Sequence, residues 1–570
     1  MSAGTTDPAG GFAHRALAIQ YGLGLLVLLL VAAPLLPILY QSLLATSLYD
    51  AGHVLTLGNF RRLLATPGFG RIVWNTLVFA ALTTLLAQLI GSLAAILFSR
   101  TDLPGRRLLG ELFLVPLYVS ALVLSFGWYT LYGPSGYVTA LWQSTLGEPF
   151  WDLYTLPGMI LVAGLTQAPL AYLYSMSSAA LADPTLEEAA RIAGAGALRT
   201  LWRVTLPLMM PAIAYSLVMN FTIALELLSV PLVFGDPARI TVMTTFLYKV
   251  GITTTNPDHG LVATGALLML LVICGLIWLQ TRLLGSTRRF VTLGGKAARP
   301  RPFRLLRWRW PLVALVMAYL LAAVLAPIAV LVLRAFTSFL SPMVPLAEVL
   351  SLDNFATLID YPVYTGAIWN SLQISAIGGA VATLLVALIA AIVHRSAFRY
   401  RAALHYVALF PRAVPGMIAG LGFFYAFALL PDLGGLRNSI WIIALAFTMR
   451  FIPAGLGAVA PTLLQISPDL DQAARVQGAD WWTATRRIVL PLLRPALVAC
   501  YTVLFISFFK DYSTAIFLFS AGSEVLGTSL MNLWTEGQAG IVAALATIQI
   551  VIIAACVGAV RAVFGVKLYG

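Results

Sequence analysis

Long apolar stretches separated by short polar segments run along the whole chain of 570 residues. A membrane-spanning helix needs about 20 consecutive apolar residues, and by that measure the pattern predicts twelve spans. They lie near residues 17–44, 73–98, 108–131, 157–178, 207–233, 260–284, 311–336, 368–393, 402–430, 440–460, 491–518 and 540–564. The predicted fold class is therefore an all-α polytopic membrane protein with six spans in each half.

The composition agrees with this pattern, since 60% of the residues are hydrophobic and 10% are charged, against about 25% charged in a soluble domain. The net charge of +13 does not indicate a nucleic-acid partner, because the basic residues lie between the spans, where they set topology and meet lipid headgroups. The three cysteines all fall within apolar stretches and the five histidines are scattered. The sequence therefore predicts no disulfide, no metal site and no catalytic cluster.

Arginine and lysine are unevenly distributed among the connecting segments. With the N-terminus inside, the segments that follow even-numbered spans are rich in arginine, whereas the opposite segments hold few basic residues and several acids. The positive-inside rule then predicts a multi-pass protein with cytoplasmic N- and C-termini. The first apolar stretch is much longer than the h-region of a removable signal, so it is expected to remain as a span.

One polar segment occurs twice in this apolar chain. Residues 187–211, EEAARIAGAGALRTLWRVTLPLMMP, return as residues 471–495, DQAARVQGADWWTATRRIVLPLLRP, with identical residues at ten of the 25 aligned positions. Both copies fall in segments that the charge distribution places in the cytoplasm. Two matched polar segments indicate that something outside the membrane is bound twice.

The repetition extends beyond this segment. The sequence LTLGNFRRLL at 55–64 resembles LSLDNFATLI at 350–359, and WNTL at 74–77 matches WNSL at 369–372. Two parallel six-span halves imply duplication and a pseudo-two-fold axis along the membrane normal. The predicted division is a first half at 1–290, a basic cytoplasmic linker at 291–310 and a second half at 311–570.

The joint between the halves, residues 286–310, contains many arginines, two prolines and no acid. One interpretation is a clamp for anionic lipids, and the other is a plain cytoplasmic linker that fixes topology. Membrane lipids are expected partners in either case.

Local signals within each repeated segment predict a short helix, a turn and a second helix. Asp183 and Ser467 each precede a proline, which is a helix-start signal, and Gly194 and Gly478 stand where a turn would end the first helix. Such a unit on the membrane surface would be a mechanical handle, and the alternative is an ordinary connecting loop. The predicted handles span about 183–207 and 467–491.

The first copy contains Glu188-Ala189-Ala190, then Gly194, then Leu-Pro a dozen residues later. This pattern resembles the cytoplasmic coupling loop of binding-protein-dependent ABC importer permeases. The second copy departs from it in having Gln472 in place of the family's glutamate. The resemblance covers essentially the whole chain, which looks like two fused type I permease halves.

In that family, each loop docks on one cytoplasmic ATPase subunit, and a soluble periplasmic or lipid-anchored binding protein delivers the substrate. The resemblance implies two copies of an ATPase, one binding protein and a place in the cell inner membrane. No GxxxxGK[ST] motif occurs, so no cofactor is expected on this chain, and ATP with magnesium would be held by the partner subunits. The chain is thus expected to be a transport subunit and not an enzyme. The loop residues implied to couple to the ATPase are Glu187, Glu188, Ala189, Ala190, Gly194, Pro207, Asp471, Gln472, Ala473, Ala474, Gly478 and Pro491.

Two stretches, 508–546 and 224–235, are similar to fused ferric-iron permeases, which implies ferric iron as the substrate. Thiamine, sugar phosphates, phosphonates and polyamines are alternatives, because permeases for them belong to the same fused subgroup. A secondary transporter, a membrane-embedded enzyme and a scaffold that only anchors ATPases are alternatives of other classes. The parallel halves disfavour the first of these, and the lack of a catalytic cluster disfavours the second.

Ionisable residues at membrane depth are candidates for a functional role. Glu226 in the fifth span corresponds to Lys510, beside Asp511, in the eleventh, and Arg450 lies near the inner end of the tenth. Such groups would either line the substrate pathway or form a structural ion pair that avoids unpaired charge in lipid. Arg450 could also extend to the membrane interface. The candidate pathway residues are Glu226, Ser229, Arg412, Lys510, Asp511 and Ser513.

Overall fold

The computed structural model describes residues 8–50, 52–181, 184–284 and 302–565. Helices make up nearly all regular structure in these ranges, where the only extended pairing is three isolated bridges. Asp183 of the predicted helix-start signal and most of the predicted linker lie outside the described residues. The predicted all-α fold class is confirmed.

The apolar stretches form helices because a spanning segment must satisfy its own backbone hydrogen bonds in hydrocarbon. The helices of the first half are α1 (Pro8–Ala32), α2 (Leu35–Ser42), α3 (Gly58–Ala65), α4 (Phe69–Arg100), α5 (Arg106–Phe113), α6 (Val115–Tyr118), α7 (Ala121–Tyr132), α8 (Tyr137–Leu146), α9 (Leu156–Leu181), α10 (Pro184–Ile192), α11 (Ala197–Thr200), α12 (Leu206–Glu226), α13 (Met243–Tyr248) and α14 (His259–Leu284).

The second half repeats this order with small differences in its short connecting helices. Its helices are α15 (Arg309–Leu320), α16 (Ala326–Ala335), α17 (Leu346–Val349), α18 (Asp353–Asp360), α19 (Pro362–Gln373), α20 (Gly379–Arg395), α21 (Arg401–Leu409), α22 (Gly416–Ala428), α23 (Gly434–Arg437), α24 (Ile440–Gln465), α25 (Asp469–Val476), α26 (Trp481–Ala484), α27 (Leu490–Leu492), α28 (Arg494–Lys510), α29 (Leu526–Thr535) and α30 (Ala539–Phe564).

Nine described helical segments are long and apolar enough to cross a membrane, and there are twelve if each of three bent pairs is one span. The predicted third and ninth spans are not straight, however. The two helical segments that meet at Val119 are bent by 103° relative to each other, and the two that meet at Val414 are bent by 110°. Both bends contain extended backbone, at Ser120 with ψ of 139° and at Pro415 with ψ of 147°, which interrupts the helical hydrogen bonds.

The fifth and eleventh spans end earlier than predicted. The pattern predicts that they run to about residues 233 and 518, but α12 ends at Glu226 and α28 ends at Lys510. The next residues, Leu227 and Asp511, leave the helical region with ψ of 116° and 131°. The charged residues predicted within these spans therefore stand at helix ends, where the backbone turns away.

Close contacts divide the chain into two compact units that do not coincide with the halves of the sequence. The first unit comprises Met1–Asn59, Tyr361–Asn532 and Val551–Gly570, and the second comprises Phe60–Asp360 and Leu533–Ile550. Each unit therefore contains the first span of one half together with most spans of the other half.

In each unit, the first span of one half crosses a helix of the other half at a glycine. In the first unit α2 packs on α22, and a Cβ built at Gly422 would lie 2.4 Å from the carbonyl oxygen of Pro34. In the second unit α16 packs on α7, and a Cβ at Gly127 would lie 2.6 Å from the carbonyl oxygen of Pro327. Glycine is required at both positions because any side chain would overlap the backbone of the crossing helix.

The repeated WN(T/S)L motif also makes the same hydrogen bond twice. The Thr76 hydroxyl accepts a bond of 2.8 Å from the backbone N–H of Met243. The Ser371 hydroxyl accepts one of 2.7 Å from the backbone N–H of Leu526. The duplication visible in the sequence is thus a duplication of contacts as well.

Candidate functional site

The two repeated polar segments fold in the same way. Each begins with a short helix, α10 or α25, followed by a glycine in the left-handed region, Gly194 with φ of +83° and Gly478 with φ of +79°. In the first loop the N–H of Ala195 then bonds to the carbonyl of Ala190 at 2.9 Å. This is a Schellman-type helix end, which favours glycine because left-handed backbone strains a residue with a Cβ. Both loops therefore have the predicted helix–turn–helix form.

The second helix of each loop leads into the next span. In the first loop, α11 continues through one wider turn into α12, so that Ala197–Glu226 is one helical segment. In the second loop, α26 continues to Leu492, and the helix is then bent by 76° before α28. Pro207 and Pro491 each follow a wider turn, which accommodates proline because its ring nitrogen has no N–H for the helical ladder.

A buried ion pair fixes the first loop to the end of the second span. Arg100, the last residue of α4, is 1% exposed, and its guanidinium lies 3.5 Å from a carboxylate oxygen of Glu187 in α10. The other carboxylate oxygen accepts a hydrogen bond of 2.8 Å from the Thr205 hydroxyl. Glu187 thus ties α10 to α4 and to the start of the fifth span, and its carboxylate is not at the loop surface.

The second loop carries the same ion pair. Arg395, the last residue of α20, lies 2.9 Å from the carboxylate of Asp471, which occupies the aligned position of Glu187. Arg395 also donates to the backbone carbonyls of Leu463 at 2.8 Å and Ser467 at 3.3 Å. It therefore satisfies carbonyl groups at the end of α24 and holds α25 beside them.

The loop residues predicted to contact a partner are not equally accessible. Glu187 and Ala474 are buried, and Ala190, Asp471 and Pro491 are half-buried. The remaining predicted residues are exposed, so a docked protein can contact them without any rearrangement of the loops. These exposed residues are Glu188, Ala189, Gly194, Pro207, Gln472, Ala473 and Gly478.

Sequence reasoning missed the most prominent apolar side chain on each loop. Ile192 is 88% exposed and Val476 is 83% exposed, and both stand two residues before the turn glycine. Single exposed apolar residues are common, but here a branched aliphatic side chain is exposed at the same point of both duplicated loops. The sequence signal is an aliphatic residue kept at an otherwise polar helix end.

Charged residues predicted at membrane depth form a compact cluster in the first unit. The guanidinium of Arg450 in α24 donates to Asp511 at 2.5 Å, to Ser513 at 2.8 Å and to Thr514 at 2.9 Å. Asp511 also accepts the backbone N–H of Thr514 at 3.0 Å. Arg450 therefore does not extend to the membrane interface, and its charge is matched where an unpaired charge would be costly.

The other predicted pathway residues lie at helix ends or in turns. Glu226 and Lys510 end α12 and α28 at aligned positions, and both are half-buried. Ser229 is buried, and its hydroxyl has no hydrogen-bond partner among the described residues. Arg412 is half-buried in the single turn before α22. The described part of the chain holds no group of three His, Cys, Asp or Glu residues that could bind a metal ion.

A strap formed by residues 302–309 runs beside the first loop. The Asp102 N–H donates to the carbonyl of Phe303 at 3.2 Å, and the Leu305 N–H donates to the Asp102 carboxylate at 2.9 Å. Asp102 also forms an ion pair with Arg309. The pKa of Asp102 is held below its usual range, mainly by the hydrogen bond from the Arg309 guanidinium and secondly by that from the Leu305 N–H.

Residues 87–289 and 382–564 match the family described as binding-protein-dependent transport system inner membrane component. The chain is 26% identical over 528 residues to a probable ABC transporter permease protein of Sinorhizobium fredii, covering 90% of each chain. It is 26% identical over 519 residues to the ferric transport system permease protein FbpB of Actinobacillus pleuropneumoniae, covering 90% of this chain and 74% of that one. Among solved structures, the chain is similar to a bacterial alginate ABC transporter in complex with an alginate pentasaccharide-bound periplasmic protein, with 18% sequence identity. The TM-score is 0.36, and the match covers 45% of this chain and 96% of that chain.

Each of the two matched ranges contains one of the repeated loops and the spans on either side of it. Together the ranges take up more than half of the chain. The chain therefore belongs to the family of binding-protein-dependent transport system inner membrane components, as a multi-pass ABC importer permease in which two copies of the family's domain are fused.

Proposed function

We propose that this permease imports ferric iron in an ATP-driven complex with two cytoplasmic ATPase subunits and one binding protein. Each repeated loop docks one ATPase, and the binding protein delivers the substrate on the opposite side of the membrane. The N- and C-termini lie in the cytoplasm, on the side of the loops. ATP and magnesium are held by the ATPase subunits, and this chain binds no cofactor.

The observation that carries this proposal is the matched construction of the two loops. Both have a glycine turn, a largely buried ion pair to an earlier span and an exposed aliphatic residue at the same position. A plain connecting segment has no need to keep these three features in both copies. Two equivalent docking surfaces are what two copies of one ATPase would require.

The contacts of the first loop suggest how force would enter the spans. A push on Ile192 would reach α4 through the pair of Glu187 and Arg100. It would also reach Glu226 through a helical segment of 30 residues, which is about 45 Å long at 1.5 Å per residue. The loop would thus move two spans together, one through an ion pair and one through a continuous helix.

The second loop would transmit force along a different route. Its ion pair connects α25 with α20 and, through backbone carbonyls, with α24. The bend of 76° after Leu492 separates the loop from α28. The two halves would therefore respond unequally to equal pushes, with the bend after Leu492 as the more compliant element.

Ferric iron as the substrate is supported by two likenesses of sequence. One is to the ferric transport system permease protein FbpB along most of the chain. The other is the local similarity of residues 508–546 and 224–235 to fused ferric-iron permeases. These stretches include the ends of α28 and α12, where Asp511 and Glu226 lie.

The test is uptake into proteoliposomes that contain the full chain and its ATPase, with ATP inside and the binding protein and radiolabelled ferric iron outside. We expect ATP-dependent accumulation of iron that excess thiamine, spermidine, sugar phosphate or phosphonate does not reduce. A matched set of vesicles without the ATPase serves as the control.

Two results would contradict different parts of the proposal. Accumulation of one of the competitors in place of iron would leave the ATP-driven machinery standing and remove the substrate assignment. Uptake driven by a proton or sodium gradient without the ATPase would overturn the mechanism.

A further inference from the structure

A cavity of about 690 Å³ lies in the second unit between α4, the first loop and the strap of residues 302–309. Its walls are almost wholly aliphatic and aromatic, and the large side chains of Leu93, Trp308 and Leu315 in its lining are exposed. The volume lies within the range of about 300–1,000 Å³ found for small-molecule sites. Exposed apolar lining on membrane-spanning helices indicates that the cavity opens toward lipid hydrocarbon.

The cavity has the depth of a single membrane leaflet. Its lining follows α4 from Ile90 and reaches Thr101, the residue directly after the helix. These two residues are eleven positions apart, or about 16 Å at a rise of 1.5 Å per residue. The hydrocarbon core of a bilayer is about 30 Å thick. The cavity therefore reaches from the arginine-bearing end of α4 to about the middle of the membrane, which is the extent of one leaflet's acyl chains.

Basic residues surround the loop end of this cavity. A second cavity of about 530 Å³ adjoins it and shares the lining residues Ala197, Phe303 and Arg304. Arg191 also lines the second cavity, with its guanidinium carbon 4.4 Å from the centroid of the Phe303 ring. One terminal nitrogen of Arg191 is buried without a hydrogen-bond partner among the described residues. The acid in the lining, Asp102, is already paired with Arg309, so the site has an excess of positive charge.

We propose that an anionic phospholipid of the cytoplasmic leaflet binds here, with an acyl chain in the apolar cavity and its phosphate at Arg191 and Arg304. The acyl chain gains little by binding, because it moves from one hydrocarbon environment to another. The arginines supply the selectivity, since one basic residue near an anionic headgroup strengthens binding about fivefold. The bound lipid braces α10 of the first loop against α4 and the strap. None of this depends on which substrate the permease carries.

Native mass spectrometry of the full chain in detergent tests this site, with dioleoyl-phosphatidylglycerol or dioleoyl-phosphatidylcholine added at equal concentration. We expect preferential retention of phosphatidylglycerol, and Arg191→Gln or Arg304→Gln should each weaken it about fivefold. Ala94→Phe, which fills the cavity from α4, should abolish it. Arg199→Gln is the matched control, because it removes the same charge from an exposed position on the same loop outside the cavity lining.

Equal retention of the two lipids would show that headgroup charge does not select the lipid, and it would overturn the proposal. An equal loss in Arg199→Gln would also overturn it, in favour of nonspecific charge attraction. Displacement of the lipid by soluble glycerol phosphate would identify a site for free phosphate. Binding that appears only after deletion of residues 285–301 would mean that this segment of the chain fills the cavity. Thermal unfolding shows whether Ala94→Phe folds, and if it does not, the arginine variants decide the outcome.

Discussion

The carboxylate of Asp471 lies 2.9 Å from the guanidinium of Arg395, and Glu187 is placed in the same way 3.5 Å from Arg100. In both loops an acid on the first short helix reaches back to the arginine that ends an earlier span. A cation at a helix C-terminus is favoured by the helix dipole, and here it also fixes the orientation of the loop. Each pair thus joins a loop to the end of an earlier transmembrane helix.

Removing the charge of Arg395 should impair the coupling of ATP hydrolysis to uptake more than removing the charge of Asp471. Arg395→Gln loses the ion pair and the bonds to the carbonyls of Leu463 and Ser467, whereas Asp471→Asn leaves the arginine bound to those carbonyls. Breaking a buried pair by removing one partner costs about 3–5 kcal/mol. We expect uptake per ATP hydrolysed, measured in reconstituted vesicles, to fall in Arg395→Gln and to fall less in Asp471→Asn, because the arginine still bonds to the carbonyls of Leu463 and Ser467 in the second variant.

Arg399→Gln is the matched control for this experiment, because it removes the same charge from an exposed position nearby. Equal losses in Asp471→Asn and Arg395→Gln would show that the carboxylate alone holds the loop. An unchanged ratio of uptake to hydrolysis in both variants would remove the ion pair from the coupling route.

The exposed aliphatic residues should be sites at which the ATPase binds. Ile192→Asp and Val476→Asp should each weaken ATPase binding at least about tenfold, as loss of a central apolar contact does at protein interfaces. Both side chains face solvent, so the free energy of unfolding of the permease should change by no more than about 0.5 kcal/mol. Binding is measured by retention of the purified ATPase on immobilised permease. Leu146→Asp, at a residue 67% exposed at the end of α8, should leave retention intact, and an equal loss there would contradict a local contact.

The turn glycines should tolerate asparagine better than alanine. A left-handed backbone costs about 1–2 kcal/mol for most residues with a Cβ, and asparagine visits it more readily than alanine. Open space surrounds both Gly194 and Gly478, so backbone strain and not steric overlap sets the penalty. We expect uptake by Gly478→Asn to exceed that by Gly478→Ala, with Gly435→Ala, at an open position without positive φ, as a neutral control. The reverse order would mean that side-chain size at the docking surface is what matters.

Apolar periodicity and turn chemistry were enough to predict the helices and the two matched loops, because both depend on residues that are close in sequence. The partners of the loop acids could not be predicted in this way, since Arg100 and Glu187 are 87 residues apart and meet only when α4 packs beside α10. The bends at Val119 and Val414 were also missed. Pro415-Gly416 is a turn signal, but proline and glycine are also tolerated within membrane helices, so the pair did not distinguish a bend from a continuous span. Arg450 was recognised as unusual, but its pairing with Asp511 depends on which helices become neighbours.

The cluster of Arg450 and Asp511 should prove structural and not part of the substrate pathway. Either single change, Arg450→Met or Asp511→Ala, leaves one charge without its main partner and should cost about 3–5 kcal/mol of stability. The double variant removes both charges at once, and replacing a buried pair by apolar residues is often neutral or stabilising. The contacts around the pair are tight, since a Cβ at Gly420 would lie 2.1 Å from the Thr514 carbonyl oxygen. The side chains chosen must therefore not exceed the original volumes.

We expect thermal unfolding in detergent to show a loss of stability in each single variant and its recovery in the double variant, with uptake recovering in parallel. A double variant that is as stable as the parent chain and yet transports nothing would place Asp511 or Arg450 in the path of the substrate.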